Sequence, residues 1–104
     1  MGYYANGYGC FEVKDTYLIE EKVDEINDEY DAELVLSGFD GKTFILFSTY
    51  DKYHEDFVTE VLDALTPLVA EGSMMEFKGE DDALWAFILE NGIWVEKNGH
   101  VVYE

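Results

Sequence analysis

Among the side chains that can move a proton, attack an electrophile or hold a cation, this 104-residue chain carries two histidines, one cysteine and 24 carboxylates. Hydrolysis or group transfer needs a nucleophile beside a base, or a metal with suitable ligands. His54 and His100 stand far apart and fall in no recognised spacing; each reads as a surface residue, His54 at a helix start and His100 after a turn. Cys10 has no basic neighbour to activate it and reads as a small buried residue in a strand. Lacking a second cysteine, it forms no internal disulfide, which suits a reducing cytosol. No phosphate-binding loop, zinc-protease helix, nucleophile elbow or C-x-x-C pair occurs. The acid-rich stretches 28–39 and 81–92 lack the sixth-position glycine and twelfth-position glutamate of a calcium-binding EF-hand. The expectation is a protein with no catalytic residue, no metal and no cofactor.

The carboxylates crowd instead. The segment EEKVDEINDEYDAE, 20–33, holds eight acids against Lys22 alone. On a helix, Glu20, Asp24, Asp28 and Asp31 form one exposed row and Glu21, Glu25 and Glu29 a second, with Glu33 just beyond. Carboxylates in a row recur about every 6 Å, on the scale of phosphates along a nucleic-acid strand. Like charges at this spacing cost an exposed helix about 1 to 2 kcal/mol in sum before salt screening. The macrodipole adds to the cost at Asp28, Glu29 and Asp31, near the helix C-terminus. A uniformly acidic surface, such as a halophile uses for solubility, would spread its charge. Here residues 15–33 carry nine acids and one base, whereas 34–50 carry one of each. A second cluster, Glu80, Asp81 and Asp82, sits in a loop between two expected strands, with Glu76 before it and Glu90 and Glu96 after; it reads either as a polar turn or as an extension of the acidic face.

The elements that position these acids follow from periodicity. Residues 3–14 alternate, with Tyr4, Tyr8 and Cys10 on one side and Phe11 and Val13 on the other, and their glycines suggest a bulged or bent strand. Ile19, Val23, Ile26 and Tyr30 then form one helical stripe, capped by Asp15 or Thr16. Strands are expected over 32–39 and 42–50, joined at Asp40-Gly41, and a second helix over 51–66, buried through Phe57, Val58, Val61, Leu62 and Leu65 and ended near Pro67. Four strands follow, over 73–79, 83–90, 93–96 and 100–104, with hairpin turns at Asn91-Gly92 and Asn98-Gly99. The fold class is α+β: an antiparallel sheet with two helices on one face, in the order β-α-β-β-α-β-β-β-β, as a single compact domain over 1–104. The first six elements have ferredoxin-like order, which leaves the strand pairing open.

The net charge of -18 and the absence of arginine argue against direct nucleic-acid binding, because Arg is the usual fork for phosphate and guanine. An anionic membrane surface is disfavoured too, and no apolar run approaches the ~20 residues of a bilayer span. The start MGYYANGYGCFEVK lacks the basic-then-apolar pattern of a secretion signal, so a cytoplasmic location is expected. In acidity, size and carboxylate crowding, EEKVDEINDEYDAE and GEDD resemble the DNA-mimic inhibitors that phages and mobile elements direct against restriction and CRISPR systems. The resemblance covers about a third of the chain and is one of charge pattern; such mimics share no one fold, so no residue role transfers by position. It implies a bacterial host cell, a basic nucleic-acid-binding partner such as a CRISPR effector or restriction enzyme, and competition for that partner's Lys/Arg-lined channel. The partner-binding residues expected on this reading are Glu20, Glu21, Asp24, Glu25, Asp28, Glu29, Asp31, Glu33, Glu80, Asp81 and Asp82. Two alternatives stay open: an immunity protein that neutralises a basic nuclease toxin, and an interaction module that uses Tyr3, Tyr4, Tyr8, Trp85 and Trp94 as a surface instead of as core.

Overall fold

The computed structural model describes residues 4–50 and 54–99. Its elements are β1 (Ala5–Glu12), α1 (Ile19–Tyr30), β2 (Val35–Phe39), β3 (Lys42–Thr49), α2 (Glu55–Leu65), β4 (Met74–Gly79), β5 (Leu84–Glu90) and β6 (Ile93–Gly99). This is the expected α+β order, an open antiparallel sheet of six strands with two helices; the strand expected over 100–104 lies outside the described residues. Across the sheet the strands run β2-β3-β1-β4-β5-β6, each antiparallel to its neighbours. β1 and β2 flank β3 with α1 connecting them, and β3 and β4 flank β1 with α2 connecting them. These are two interleaved split βαβ units, so the ferredoxin-like order is matched by ferredoxin-like pairing. β5 and β6 continue the sheet past β4 as a meander.

The helices take their places because each has one apolar stripe. Ile19, Val23 and Ile26 of α1 and Val58, Val61, Leu62 and Leu65 of α2 are buried against Phe11, Ile45, Phe47, Met75 and Leu89 of the sheet. The indole Nε1 of Trp94 donates to the Leu62 carbonyl at 2.7 Å and to Thr66 Oγ1 at 3.0 Å, tying β6 to the end of α2. Trp85 and Trp94 therefore belong to the helix-covered side, with Trp85 stacked on Phe77 at 5.4 Å, whereas Tyr4 and Tyr8 are exposed. Tyr3 lies outside the described residues.

Four local expectations need correction. β1 is not bulged: it pairs residue for residue with β3 and β4, because Gly7 and Gly9 serve packing instead of bending, and the rings of Phe77 and Phe11 lie across them. Cys10 is exposed, since β1 alternates and the cysteine falls on the side away from the helices. Helix α1 starts later than its polar signals suggest. Asp15 Oδ1 accepts the Tyr17 N–H in a preceding turn, and the residue before the helix is Leu18, in a left-handed conformation without a side-chain cap. Finally, Asn98-Gly99 makes no turn: β6 runs through both, opposite Trp85 and Leu84, where the ladder with β5 outweighs a dipeptide preference. The other two hairpins behave as expected, with positive φ at Asp40 and Gly41 and at Asn91 and Gly92. Among the described residues no helix is long and apolar enough to cross a membrane.

Candidate partner-binding surface

Helix α1 turns its stripe inward and every acid of 20–33 outward: Glu20, Glu21, Asp24, Glu25, Asp28, Glu29, Asp31 and Glu33 are all exposed. The last two are held in place by Asn27. Its Oδ1 accepts the Leu34 N–H at 2.8 Å and its Nδ2 donates to the Leu34 carbonyl at 3.2 Å, so the chain leaving the helix is clasped to it. Asp31 ends the helix in a left-handed turn at φ 56, a conformation aspartate tolerates better than most residues. Lys22, the single cation of the helix, lies 5.8 Å over the Tyr17 ring. Among the described residues, no carboxylate of α1 or α2 is in an ion pair.

The acidic surface is wider than the sequence suggests. Helix α2 packs beside α1 and exposes Glu55, Asp56, Glu60 and Asp63. Over residues 15–33 and 54–66 there are thirteen carboxylates and one lysine. The α2 acids do not stand out in the sequence, because they are interleaved with apolar residues and form no run; their spacing on the helix's polar face is the signal that marks them. Tyr30 reports the shared field. Its phenol is raised above the ordinary 10.0 by the charge of Glu29 first, then by partial burial, and then by Glu60 from across the helix pair, with Asp63 adding to it. A raised phenol pKa favours the neutral form in the folded state. Its contribution to stability is therefore complete below pH 10 and is lost as pH rises through the folded value. An ultraviolet titration of the native protein minus that of Tyr30→Phe is expected to place this phenol above its ordinary value. Glu60→Gln and added salt should each lower it; a value indifferent to both would mean that the two helices do not share one field.

The second cluster is placed differently. Glu80, Asp81 and Asp82 occupy the β4–β5 turn, beside the start of β1, on the other side of that strand from β3. All three are exposed, and each has local work. Glu80 Oε1 accepts the Tyr4 N–H at 3.0 Å, Asp81 Oδ1 accepts the Ala83 N–H at 3.2 Å, and Asp82 Oδ1 lies 3.9 Å from Lys78 Nζ. Glu76 and Glu90, expected to extend the acidic face, project from the opposite side of the sheet, where Glu90 lies 3.6 Å from Lys97.

That opposite side has another character. On it the strands carry Glu12, Glu76 and Glu90 against Lys42, Lys78 and Lys97, a balanced set, and every ion pair among the described residues lies there or at its rim. The fold thus sorts charge: acids over both helices, lysines and acids in equal number on the open sheet face. No protein-family model, no curated protein and no solved structure matches this chain. The functional reading therefore rests on the surface itself. Among the described residues no group of three or more His, Cys, Asp or Glu side chains is arranged to hold a metal ion. His54 precedes α2 and is exposed; His100 lies outside the described residues.

Proposed function

We propose that this chain is a non-enzymatic acidic inhibitor that occupies the cationic nucleic-acid groove of a bacterial defence nuclease, of anti-CRISPR or anti-restriction type, inside the host cell. The observation that carries the reading is the uncompensated acidic surface spread over two adjacent helices, with the balancing lysines sorted to the other side. A line of carboxylates about 6 Å apart can take up guanidinium and ammonium groups that otherwise hold phosphates. Attraction acts over a Debye length, and close pairing follows on docking. The α1 and α2 acids form the primary contact, and Glu80, Asp81 and Asp82 in the β4–β5 turn are a second, separate acidic patch.

The test is displacement of labelled duplex DNA from a panel of purified restriction endonucleases and guide-RNA effector nucleases. One or more members should release DNA as the protein is added, and the apparent affinity should fall at least about tenfold between about 50 and 200 mM salt, as expected when many charge pairs are screened. Displacement equally strong at both salt concentrations would reject the electrostatic account.

A further inference from the structure

The sheet face away from the helices carries one apolar or weakly polar side chain from every strand in a single cross-strand row. In spatial order these are Val35, Leu46, Cys10, Met74, Ile88 and Val95. Val35 pairs with Leu46, Leu46 with Cys10, Met74 with Ile88 and Ile88 with Val95, while Cys10 and Met74 line a common hollow. Val35 is 55% and Met74 40% exposed, and among the described residues nothing covers the row. A hollow of about 510 Å³ opens on the same face, between Tyr8, Tyr50, Met74 and Ile88.

We infer that this face is the interface of a homodimer, in which two copies pack sheet on sheet and turn their acidic helices outward. Charge selects the occupant. Each copy carries a formal -18, so contact through the helix layer sets like charge against like, whereas on the open face the strands set Lys42, Lys78 and Lys97 against Glu12, Glu76 and Glu90, with Glu71 the one further acid beside Cys10 and Met74, so that face can meet itself with far less repulsion. Register selects the geometry. A two-fold axis parallel to the strands, between β1 and β4, lays the row on its own copy. Cys10 then faces Met74 of the second copy, Leu46 faces its Ile88, and Val35 faces its Val95. The same operation sets Glu76 over Tyr8 and Lys78 over Asn6. Both members of each facing pair come from one self-complementary patch, as a two-fold contact requires.

The size is adequate for a concentration-dependent dimer. Six strands about 4.8 Å apart over roughly 20 Å of strand give about 550 Å² per face. Two faces bury about 1,100 Å² before side-chain relief is added, at the lower end of specific interfaces. Aligned sheets pack about 10 Å apart, which separates the two Cys10 Cα atoms by about 11 Å and forbids a direct disulfide.

Sedimentation velocity on the full chain, from about 1 to about 200 μM, reads the equilibrium directly. The dimer should tighten at least about threefold from about 50 to 500 mM salt, because screening relieves repulsion between two strongly anionic bodies while apolar burial persists. This is the opposite salt dependence to nuclease binding, so either proposal can fail alone. Met74→Lys, at an exposed position, should give a monomer with an unchanged circular dichroism spectrum, and Glu21→Lys should leave the dimer intact. A bis-maleimide of about 11 Å span should join two copies through Cys10 in the native protein and fail to do so in Met74→Lys. A monomer at every concentration and salt overturns the inference. So does a dimer that survives Met74→Lys or that Cys10 does not cross-link.

Discussion

Replacing Glu21, Glu25 and Asp28 together with lysine is expected to abolish the proposed nuclease inhibition while leaving the protein folded and more stable. Each residue is exposed, none is ion-paired among the described residues, and each belongs to the helix that carries the densest charge. The change alters the charge of the surface by six and places three cations where a cationic groove would dock. A charge-assisted contact is worth about 1.5 kcal/mol or more, and its replacement by repulsion doubles the effect, so the loss in affinity should exceed about a hundredfold. The melting temperature should move the other way. Like-charge pairs along α1 cost a few tenths of a kcal/mol each, and the new lysines make favourable pairs with Asp24, Glu29 and Asp31. Lysine near the helix C-terminus at position 28 also suits the macrodipole. Inhibition assays and thermal melts on the same preparations check both directions. Inhibition that survives the triple reversal would remove the acidic helix from the mechanism.

Opposite movements of stability and activity are what separate a surface shaped by recognition from one shaped by folding. The sequence exposed this contrast at α1, because eight acids in fourteen residues form a run and the stripe of Ile19, Val23 and Ile26 decides which way they point. Helix α2 was legible as a helix but not as part of the site, since Glu60 and Asp63 join the α1 surface only through tertiary packing. The β4–β5 turn shows the converse. Glu80, Asp81 and Asp82 look like a second site as a string of letters, yet each carboxylate is also a local hydrogen-bond acceptor or ion-pair partner in a tight turn. Element order and two of the three hairpins were readable because type I′ dipeptides act within four residues. The third failed at Asn98-Gly99, where pairing with β5 is a contact between distant residues that no local signal carries. The same limit hid the open face: period-two alternation shows that Cys10 and Met74 have their own sides, but only the register of six strands shows those sides to be one row.

The other large effect is expected at Gly7, where substitution by alanine should destabilise the protein by about 3 kcal/mol, more than any single surface change. A Cβ there would run into Phe77 Cε2 and stand 2.6 Å from Phe77 Cδ2 and 2.8 Å from Thr49 Oγ1. The ring cannot retreat easily. It is stacked on Trp85 with centroids 5.4 Å apart and planes 6° from parallel, and it meets the edge of Phe87 at 5.9 Å. Overpacking of this kind costs about 1 to 3 kcal/mol where neighbours yield and more where they do not. Gly7 pairs with Thr49 of β3 and Phe77 of β4, so strain there disturbs the central strand that both split βαβ units share. The cause can be isolated. Phe77→Leu alone should lose about 1 kcal/mol or more of packing, but in the Gly7→Ala background it removes the clashing ring atoms, so the double variant should be more stable than the sum of the two single changes predicts. Chemical denaturation of the four proteins measures the coupling. Simple additivity would mean that β1 moves away from β4 to admit the methyl group, and that the glycine is kept for its backbone and not for the ring that lies across it.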